Sequence, residues 1–389
     1  MINYSSLDII ANYVSHGYIA YYAKEVHTGE RKVVNKDGLL FYTYDNINYL
    51  LGFSGEETEL VLPENYNGQS YEIYHYAFFN NTTLRSLTIP YGVTAIGNYA
   101  FRGCQNLTDL TLSESITCIG NAAFYECKNL REITIPSRVT YIGFYTFYYC
   151  EKLTSVTIPD KVTSIGVSAF ESCLGLTSIT IGSNVASIDS HAFECCFKLV
   201  EVINHSSLNI SLGYTSEYGY VASYAKEVHT GESKIVNKDN FLFYTDNGVN
   251  YLLGYVGEET ELVLPENYNG QSYEIYQYAF SHHQTLTSVI IPNSVTAIGR
   301  YAFTSCQSLR NVTIGNSVTS IGDYAFVLCF NLTSVTIGSS VTSIGTEAFR
   351  DCYKLVKVIN LSSLNITAGS TNYGRVAYYA KEVHSGEAS

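Results

Sequence analysis

Three histidines stand in copies of one short phrase, and they are the first residues that could do chemistry. His27, His229 and His384 each close a Lys-Glu-Val-His run, with Glu30, Glu232 and Glu387 three residues further on. A histidine and a carboxylate at that spacing could share a metal ion, but two ligands fall short of the set that holds zinc. Three copies in one chain also point to duplication rather than to a reacting centre, and a histidine at the end of a surface helix suits the helix dipole. The acidic runs Glu56-Glu57-Thr58-Glu59 and Glu258-Glu259-Thr260-Glu261 lack the alternating oxygen ligands and the glycine of a calcium loop. His282-His283 is expected in an exposed loop. There is no nucleophile elbow, phosphate loop or dinucleotide fingerprint, and no paired acid and base. The expectation is a chain with no catalytic residues, no metal and no cofactor.

Ten cysteines offer a second chemistry. Eight of them, Cys104, Cys127, Cys150, Cys173, Cys196, Cys306, Cys329 and Cys352, occupy one slot of a repeat. Copies stacked at strand spacing, roughly 4.8 Å, keep their Cβ atoms too far apart for easy bridging. No CxxC pair is present for zinc. The slot is expected to hold a buried column of free thiols acting as small hydrophobes. The net charge of −13 argues against nucleic acid, which needs clustered lysine and arginine. No run of 18 apolar residues exists to span a membrane, and the start, MINYSSLDII, has no signal-peptide pattern.

The elements that position these residues follow from a period of 23. Phe78, Phe101, Phe124, Phe147, Phe170 and Phe193 keep that step, and Phe280, Phe303, Phe326 and Phe349 repeat it. In the unit Leu332 to Lys354, Val335 and Ile337 alternate with Ser334 and Thr336, the pattern of a half-buried strand. Val341 to Ile344 forms a second extended piece, and Ala348, Phe349 and Cys352 suit one helical turn with its apolar side inward. All six prolines, or a glycine at 182, 315 and 338, follow the first strand. A second glycine column (Gly97, Gly120, Gly143, Gly166, Gly299, Gly322, Gly345, with Asp189 standing in once) predicts a positive-φ turn before the helical turn. One unit buries too little to stand alone, so stacking must close the core.

A longer duplication overlies the first. GEETELVLPENYNGQSYEIY at 55–74 recurs unchanged at 257–276. Within this insert, Val221, Tyr224, Ala225 and Val228 share one face of an expected amphipathic helix. Phe241 to Tyr255 then alternates around Asp246-Asn247-Gly248 as a hairpin. The expected organisation is a strand end plus insert at 1–60, a repeat run at 61–205, a second insert at 206–262, a second run at 263–361 and a partial third insert at 362–389. Met1 stands where the second copy has Val202 in a strand, and the chain stops inside an insert, so it is expected to be a piece of a longer array.

The V-T-x-I-G-x-x-A-F-x-x-C phrase resembles the BspA-like leucine-rich-repeat family over most of the chain; Thr146 for Ala and Asp189 for Gly are the departures. The resemblance implies an α/β leucine-rich-repeat-like, right-handed parallel solenoid, strand-rich, with a short helical turn per rung and helix-plus-hairpin inserts. It also implies a secreted or cell-surface bacterial protein, non-enzymatic and adhesin-like. Its partners would be host or neighbouring-cell surface and matrix proteins, with no nucleic acid and no membrane insertion, and it would act as a monomer. A structural spacer and a glycan-binding module are the alternatives. The loops carrying Tyr66-Asn67 and Tyr268-Asn269 are longer than the other rungs require and are the expected ligand contacts; a loop folded back on its own tyrosine is the other reading. The outward column Thr88, Thr111, Thr134, Thr157, Thr180, Thr313 and Thr336 is either plain β-propensity or a flat polar binding face.

Overall fold

A computed structural model describes residues 33–214 and 216–385, which gather into two compact units. One comprises the chain up to Cys196 together with Asn204–Ser223; the other comprises Phe197–Ile203 and the chain from Tyr224 onward. Expectations for Met1, His27, Glu30 and Glu387 fall outside the described residues. Each unit is a parallel β-solenoid. Its rungs carry a first strand (Ser86–Ile89, Asp109–Leu112, Ser334–Ile337), a second strand (Val93–Ile96, Cys118–Ile119, Ser343–Ile344) and a turn segment. Strands pair one rung apart and in register, Leu87 beside Leu110, Ile96 beside Ile119 and Val312 beside Val335. Val335 and Ile337 are fully buried while Thr336 between them is not, as period two requires.

The turn segment is not helical, contrary to the sequence expectation. Among the described residues the only helical elements are two 3-10 stretches, Glu217–Tyr220 and Tyr373–Arg375. The cause is the handedness of the residues flanking each phenylalanine. Two before and two after it stand residues with positive φ: Tyr99 (57°) and Gly103 (75°) around Phe101, Ser168 (52°) and Ser172 (60°) around Phe170, Tyr324 (56°) and Leu328 (63°) around Phe326. Residues of alternating hand aim successive amides in different directions. The N–H groups of Tyr99, Phe101 and Gly103 donate to the carbonyls of Asn121, Ala123 and Tyr125 in the next rung, at 2.9, 2.8 and 2.8 Å. Those of Ala100, Arg102 and Cys104 turn back to Gly97, Tyr99 and Phe101 at 3.3, 3.1 and 3.1 Å. An α-helix would keep every such bond within its own segment. Each left-handed non-glycine residue costs about 1–2 kcal/mol. The inter-rung bonds, each worth about 1 kcal/mol net, and the buried phenylalanine, worth about 3 kcal/mol, offset it.

The second glycine column serves another purpose than the one expected. Neither these glycines nor Asp189 has positive φ. A Cβ on Gly120 would lie 2.5 Å from the Asn98 backbone nitrogen, and one on Gly345 would lie 2.5 Å from that of Asp323. Glycine is there because adjacent rungs touch backbone to backbone.

Inside each unit the phenylalanines stack in a file. Centroids are 4.9 Å apart from Phe78 to Phe101, 5.3 Å from Phe101 to Phe124, and 4.8 Å from Phe280 to Phe303. The cysteine column runs beside them as buried free thiols. It does more than fill space. Cys104 Sγ donates to the Phe78 carbonyl at 3.1 Å and Cys329 Sγ to that of Phe303 at 3.1 Å, and all eight slots repeat this bond. Burial pushes the Cys104 thiol up to about 12 and that of Cys127 well above its ordinary value.

The inserts are absorbed into the solenoid pattern. The helix expected over Val221–Val228 is absent. Tyr218, Gly219 and Tyr220 have positive φ, and the Phe193 N–H donates to the Gly219 carbonyl at 2.8 Å, so this stretch continues the turn ladder as an irregular rung. Glu227–His229 is a strand paired in parallel with Glu201–Ile203. So short an isolated helix is marginal in water, and the ladder offers its amides better partners. The hairpin is present as expected. Phe241–Asp246 and Val249–Tyr255 pair antiparallel around Asn247 (φ 48°) and Gly248 (φ 82°), the signs of a type I′ turn. Its second strand pairs in parallel with Tyr273–Ile275, so the hairpin extends the second-strand sheet; Leu39–Tyr44 and Ile47–Phe53 do the same in the first unit.

Two outcomes follow from this packing. Gly120→Ala should lower the unfolding free energy by about 1–3 kcal/mol through overpacking, whereas Glu126→Gly, at φ 59°, should leave it unchanged or higher, as read by urea denaturation. In the native protein an aqueous thiol reagent should modify Cys118 and Cys195 and spare the eight buried thiols, with all ten reacting once unfolded; fast native labelling of the column would contradict the packing.

Candidate binding surface

The turn ladder decides which side chains face water. With Phe101 and its equivalents inward, aromatic and long polar side chains two before and one after reach the surface, whereas Ala122, Ser168, Thr304 and Val327 at those positions are buried. In the first unit those positions hold Tyr76 and Phe79, Tyr99 and Arg102, then Tyr125, then Tyr145 and Tyr148. They form one contiguous face. Tyr76 stacks on Tyr99 at 5.0 Å and meets Phe79 edge-on at 5.6 Å. Tyr125 stacks on Tyr148 at 4.8 Å, and Tyr145 meets Tyr148 edge-on at 5.6 Å. Arg102 joins the two groups, its guanidinium carbon 4.8 Å from the Tyr125 centroid, 5.7 Å from Phe79 and 5.8 Å from Tyr99. Phe79 and Tyr145 are 43% and 41% exposed, which is high for large rings gathered at one place. Burial, with Glu171 close by, pushes the Tyr148 phenol up to about 12, and burial with Glu126 raises that of Tyr125. Both remain donors at neutral pH.

The face changes character along the array. The next two rungs place Glu171, then His191 and Glu194, outward, with Ser168 buried. In the second unit, Tyr278, Tyr301 and Tyr324 stack in a file at 5.0 and 4.9 Å, with the exposed Arg300 4.8 Å from the Tyr301 centroid. Sequence reasoning missed this surface. Tyrosine two before the phenylalanine in six units was a visible signal, at positions 76, 99, 145, 278, 301 and 324.

Of the residues expected to contact ligand, Tyr66 and Tyr268 are folded back. They are 5% and 6% exposed, and stack on Phe41 at 4.1 Å and on Phe243 at 4.2 Å. Asn67 and Asn269 remain exposed, at φ 53° and 52°, followed by Gly68 and Gly270 at 77° and 78°. Tyr66 and Gln69 exchange backbone bonds at 2.9 and 3.1 Å, so the loop is a miniature hairpin. The buried Asn48 amide supports it through the Ser70 carbonyl at 3.3 Å. A shallow polar depression beside the turn is lined by Asn46, Ile47, Gln69, Ser70 and Glu72. The threonine column faces outward as a paired ladder, Thr88 beside Thr111 and Thr313 beside Thr336.

The histidine phrase acquires partners that sequence spacing did not suggest. His229 meets Glu201 and Glu227, while Glu232 lies exposed outside the set. Glu201 is fully buried. Its Oε1 accepts from the Lys234 N–H at 2.7 Å and lies 3.1 Å from His229 Nε2; its Oε2 accepts from Ser233 Oγ at 2.5 Å. Glu227 Oε1 accepts from the Tyr244 hydroxyl at 2.6 Å, and Oε2 pairs with the Lys234 ammonium. The Gly231 N–H donates to His229 Nδ1 at 2.9 Å, which leaves Nε2 to carry the proton donated to Glu201. The imidazole and all four carboxylate oxygens are thus committed internally, an arrangement that fits a clamp on the Glu227–His229 strand better than a metal site. Burial raises the Glu227 carboxyl, but the bonds from Lys234 and Tyr244 and the charges of Lys234 and His229 outweigh it, and its pKa falls below the ordinary value.

The description "BspA type leucine rich repeat region" matches the chain in six copies, over residues 71–200 and 273–377. No curated protein matches. Among solved structures the chain is similar to a leucine rich cell surface protein of Faecalibacterium prausnitzii, at 26% identity over 93% of this chain and 96% of that one, with a TM-score of 0.39. It is similar to the leucine-rich-repeat protein of Treponema pallidum, at 27% identity over 45% and 83%, TM-score 0.43. It is also similar to one from Bacteroides ovatus, at 21% identity over 91% and 100%, TM-score 0.42.

The carboxylate clamp sets an acid dependence. Because folding lowers the Glu227 pKa, its contribution is complete above the ordinary carboxylate pKa and is lost as the pH falls through the folded value. Glu227→Gln should therefore destabilise by about 1–3 kcal/mol at neutral pH, with parent and variant converging in acid. Denaturant titrations at both pH values check this; a gap that persists in acid would contradict it.

Proposed function

The chain belongs to the BspA-type leucine-rich-repeat family, and from that premise we propose that it is a non-enzymatic, adhesin-like protein-binding module, displayed on or secreted from a bacterial cell. Its partners in this reading are surface or matrix proteins of host or neighbouring cells. The observation that carries the reading is the aromatic face of the first unit, where Phe79, Tyr99 and Tyr125 surround Arg102 and Tyr148 and Tyr145 extend the patch from Tyr125. Tyrosine and arginine dominate the energetic centres of protein interfaces, since they bring large contact area and polar tips at low entropic cost. Each ring here contacts another in its own or the next rung, so less side-chain freedom remains to be lost on binding. The exposed Asn67-Gly68 and Asn269-Gly270 turns are further contact points in this reading, each within its own unit. Among the described residues no helix is long and apolar enough to cross a membrane.

The experiment is capture of matrix and serum proteins on the immobilised chain, compared with an unrelated solenoid. Saturable binding is expected, weakened at least about 30-fold by the pair Tyr125→Ala and Tyr148→Ala, the scale of an interface hot spot. Thr111→Ala and Thr134→Ala on the first-strand face should leave it unchanged. Absence of enrichment over the unrelated solenoid would overturn the binding role in favour of a spacer.

A further inference from the structure

The charge at the centre of the aromatic face says what kind of partner it fits. The chain carries 35 acidic against 22 basic residues, yet the group at the middle of the patch is a cation. Arg102 makes no ion pair among the described residues. Its guanidinium is instead sandwiched by the rings of Tyr125, Phe79 and Tyr99. Ring faces carry the negative part of the aromatic quadrupole and attract the guanidinium charge. They leave its planar N–H fork unmatched by any carboxylate, the partner that fork fits best.

The rings add to this. Tyr76 and Tyr99 are stacked within 6° of parallel, and Tyr125 and Tyr148 within 19°. Faces used for stacking on one another are closed to a sugar ring, which would need a free face. Beside them the Tyr125 and Tyr148 phenol hydroxyls are held protonated. The arginine fork and phenol donors make a local donor surface suited to carboxylates and backbone carbonyls. Glu126 and Glu171 lie beside Tyr125 and Tyr148 and bound it on that side, so the anionic group must enter at Arg102.

We propose that Arg102, set among Phe79, Tyr99 and Tyr125, anchors an aspartate or glutamate side chain of an acidic, aromatic-containing protein segment. This rests on the protein-binding reading of the same face and narrows it to a partner chemistry. Arg300 is a simpler arrangement in the second unit, from a different slot of the rung, over the two rings of Tyr301 and Tyr324 in place of three.

The test uses the whole chain in biolayer interferometry with two immobilised probes, a random glutamate–tyrosine copolymer and polysialic acid. Saturable binding to the copolymer is expected, weakening as salt is raised. Arg102→Gln should reduce it about tenfold or more, Arg102→Lys should fall between the two because it keeps the charge without the fork, and Arg300→Gln should retain most of it. Thermal unfolding of each variant checks that the fold is kept, and the Lys variant preserves the test if the Gln variant is unstable. Copolymer binding indifferent to Arg102 would overturn the inference. So would binding of polysialic acid in preference to the copolymer, which would indicate an acidic glycan. Matrix-protein capture that needs Tyr125 and Tyr148 but not Arg102 would overturn the acidic-segment inference while leaving the protein-binding reading intact.

Discussion

The structure depends on one main-chain constraint: the residues two before and two after each core phenylalanine must be left-handed. That hand costs energy at every rung, because the positions are filled by Tyr99, Glu126, Ser168 or Leu328 far more often than by glycine. It persists because it aims alternate amides at the next rung. Phe101 to Ala123 and Phe303 to Ala325, at 2.8 and 2.7 Å, are ladder bonds of the same standing as those between the strands. The solenoid thus has hydrogen-bonded rungs on its turn side as well as on its two strand sides. The backbone contact at Gly120 and Gly345 and the thiol-to-carbonyl bonds of the cysteine column both follow from rungs drawn that close.

The same constraint creates the surface. A tyrosine at the left-handed position two before the phenylalanine reaches the surface, where Ala122 and Ser168 are too short to, and stacking repeats that direction rung after rung. Tyrosine at successive copies of the slot therefore makes a file, as in Tyr278, Tyr301 and Tyr324. Where the outward residue one after the phenylalanine is also aromatic or arginine, the file widens into a patch, as it does around Arg102. Where those residues are Glu171 and Glu194, the patch ends. Rung composition alone moves the face from aromatic to acidic without altering the fold.

Much of this was legible in the sequence. The 23-residue step located the strands, their inward residues and the thiol column, since a residue recurring once per rung has only its own copies as neighbours. The hairpin at Asp246-Asn247-Gly248 was also legible, because type I′ turns demand those residues. What was not legible is the hand of the turn. Ala348, Phe349 and Cys352 show the same apolar spacing in one helical turn as in a ladder of alternating hand, and periodicity does not separate the two. The amphipathic pattern at Val221–Val228 failed for that reason, and so did the positive φ expected of the glycine column. Outward placement of the tyrosines depends on that hand, so the aromatic face stayed hidden although its residues were in plain view. The clamp was hidden differently. Glu201 lies 28 residues from His229, and the third copy has Lys357 at its place, in register with Glu382, so no repeated motif announces it.

The account rests on the left-handed residues, and NMR measures them directly. A residue with positive φ brings its amide proton close to its own Hα, whereas a helical segment gives weak contacts of that kind and a run of strong sequential amide–amide contacts. The structure predicts strong intraresidue amide–Hα cross-peaks at Tyr99, Glu126, Ser168, Leu328 and Asp351, and weak ones at Phe101, Phe170 and Phe326 between them. Uniformly weak intraresidue peaks with an unbroken amide–amide run through each Ala-Phe segment would show a helical turn. They would remove the basis for both the inter-rung ladder and the aromatic face.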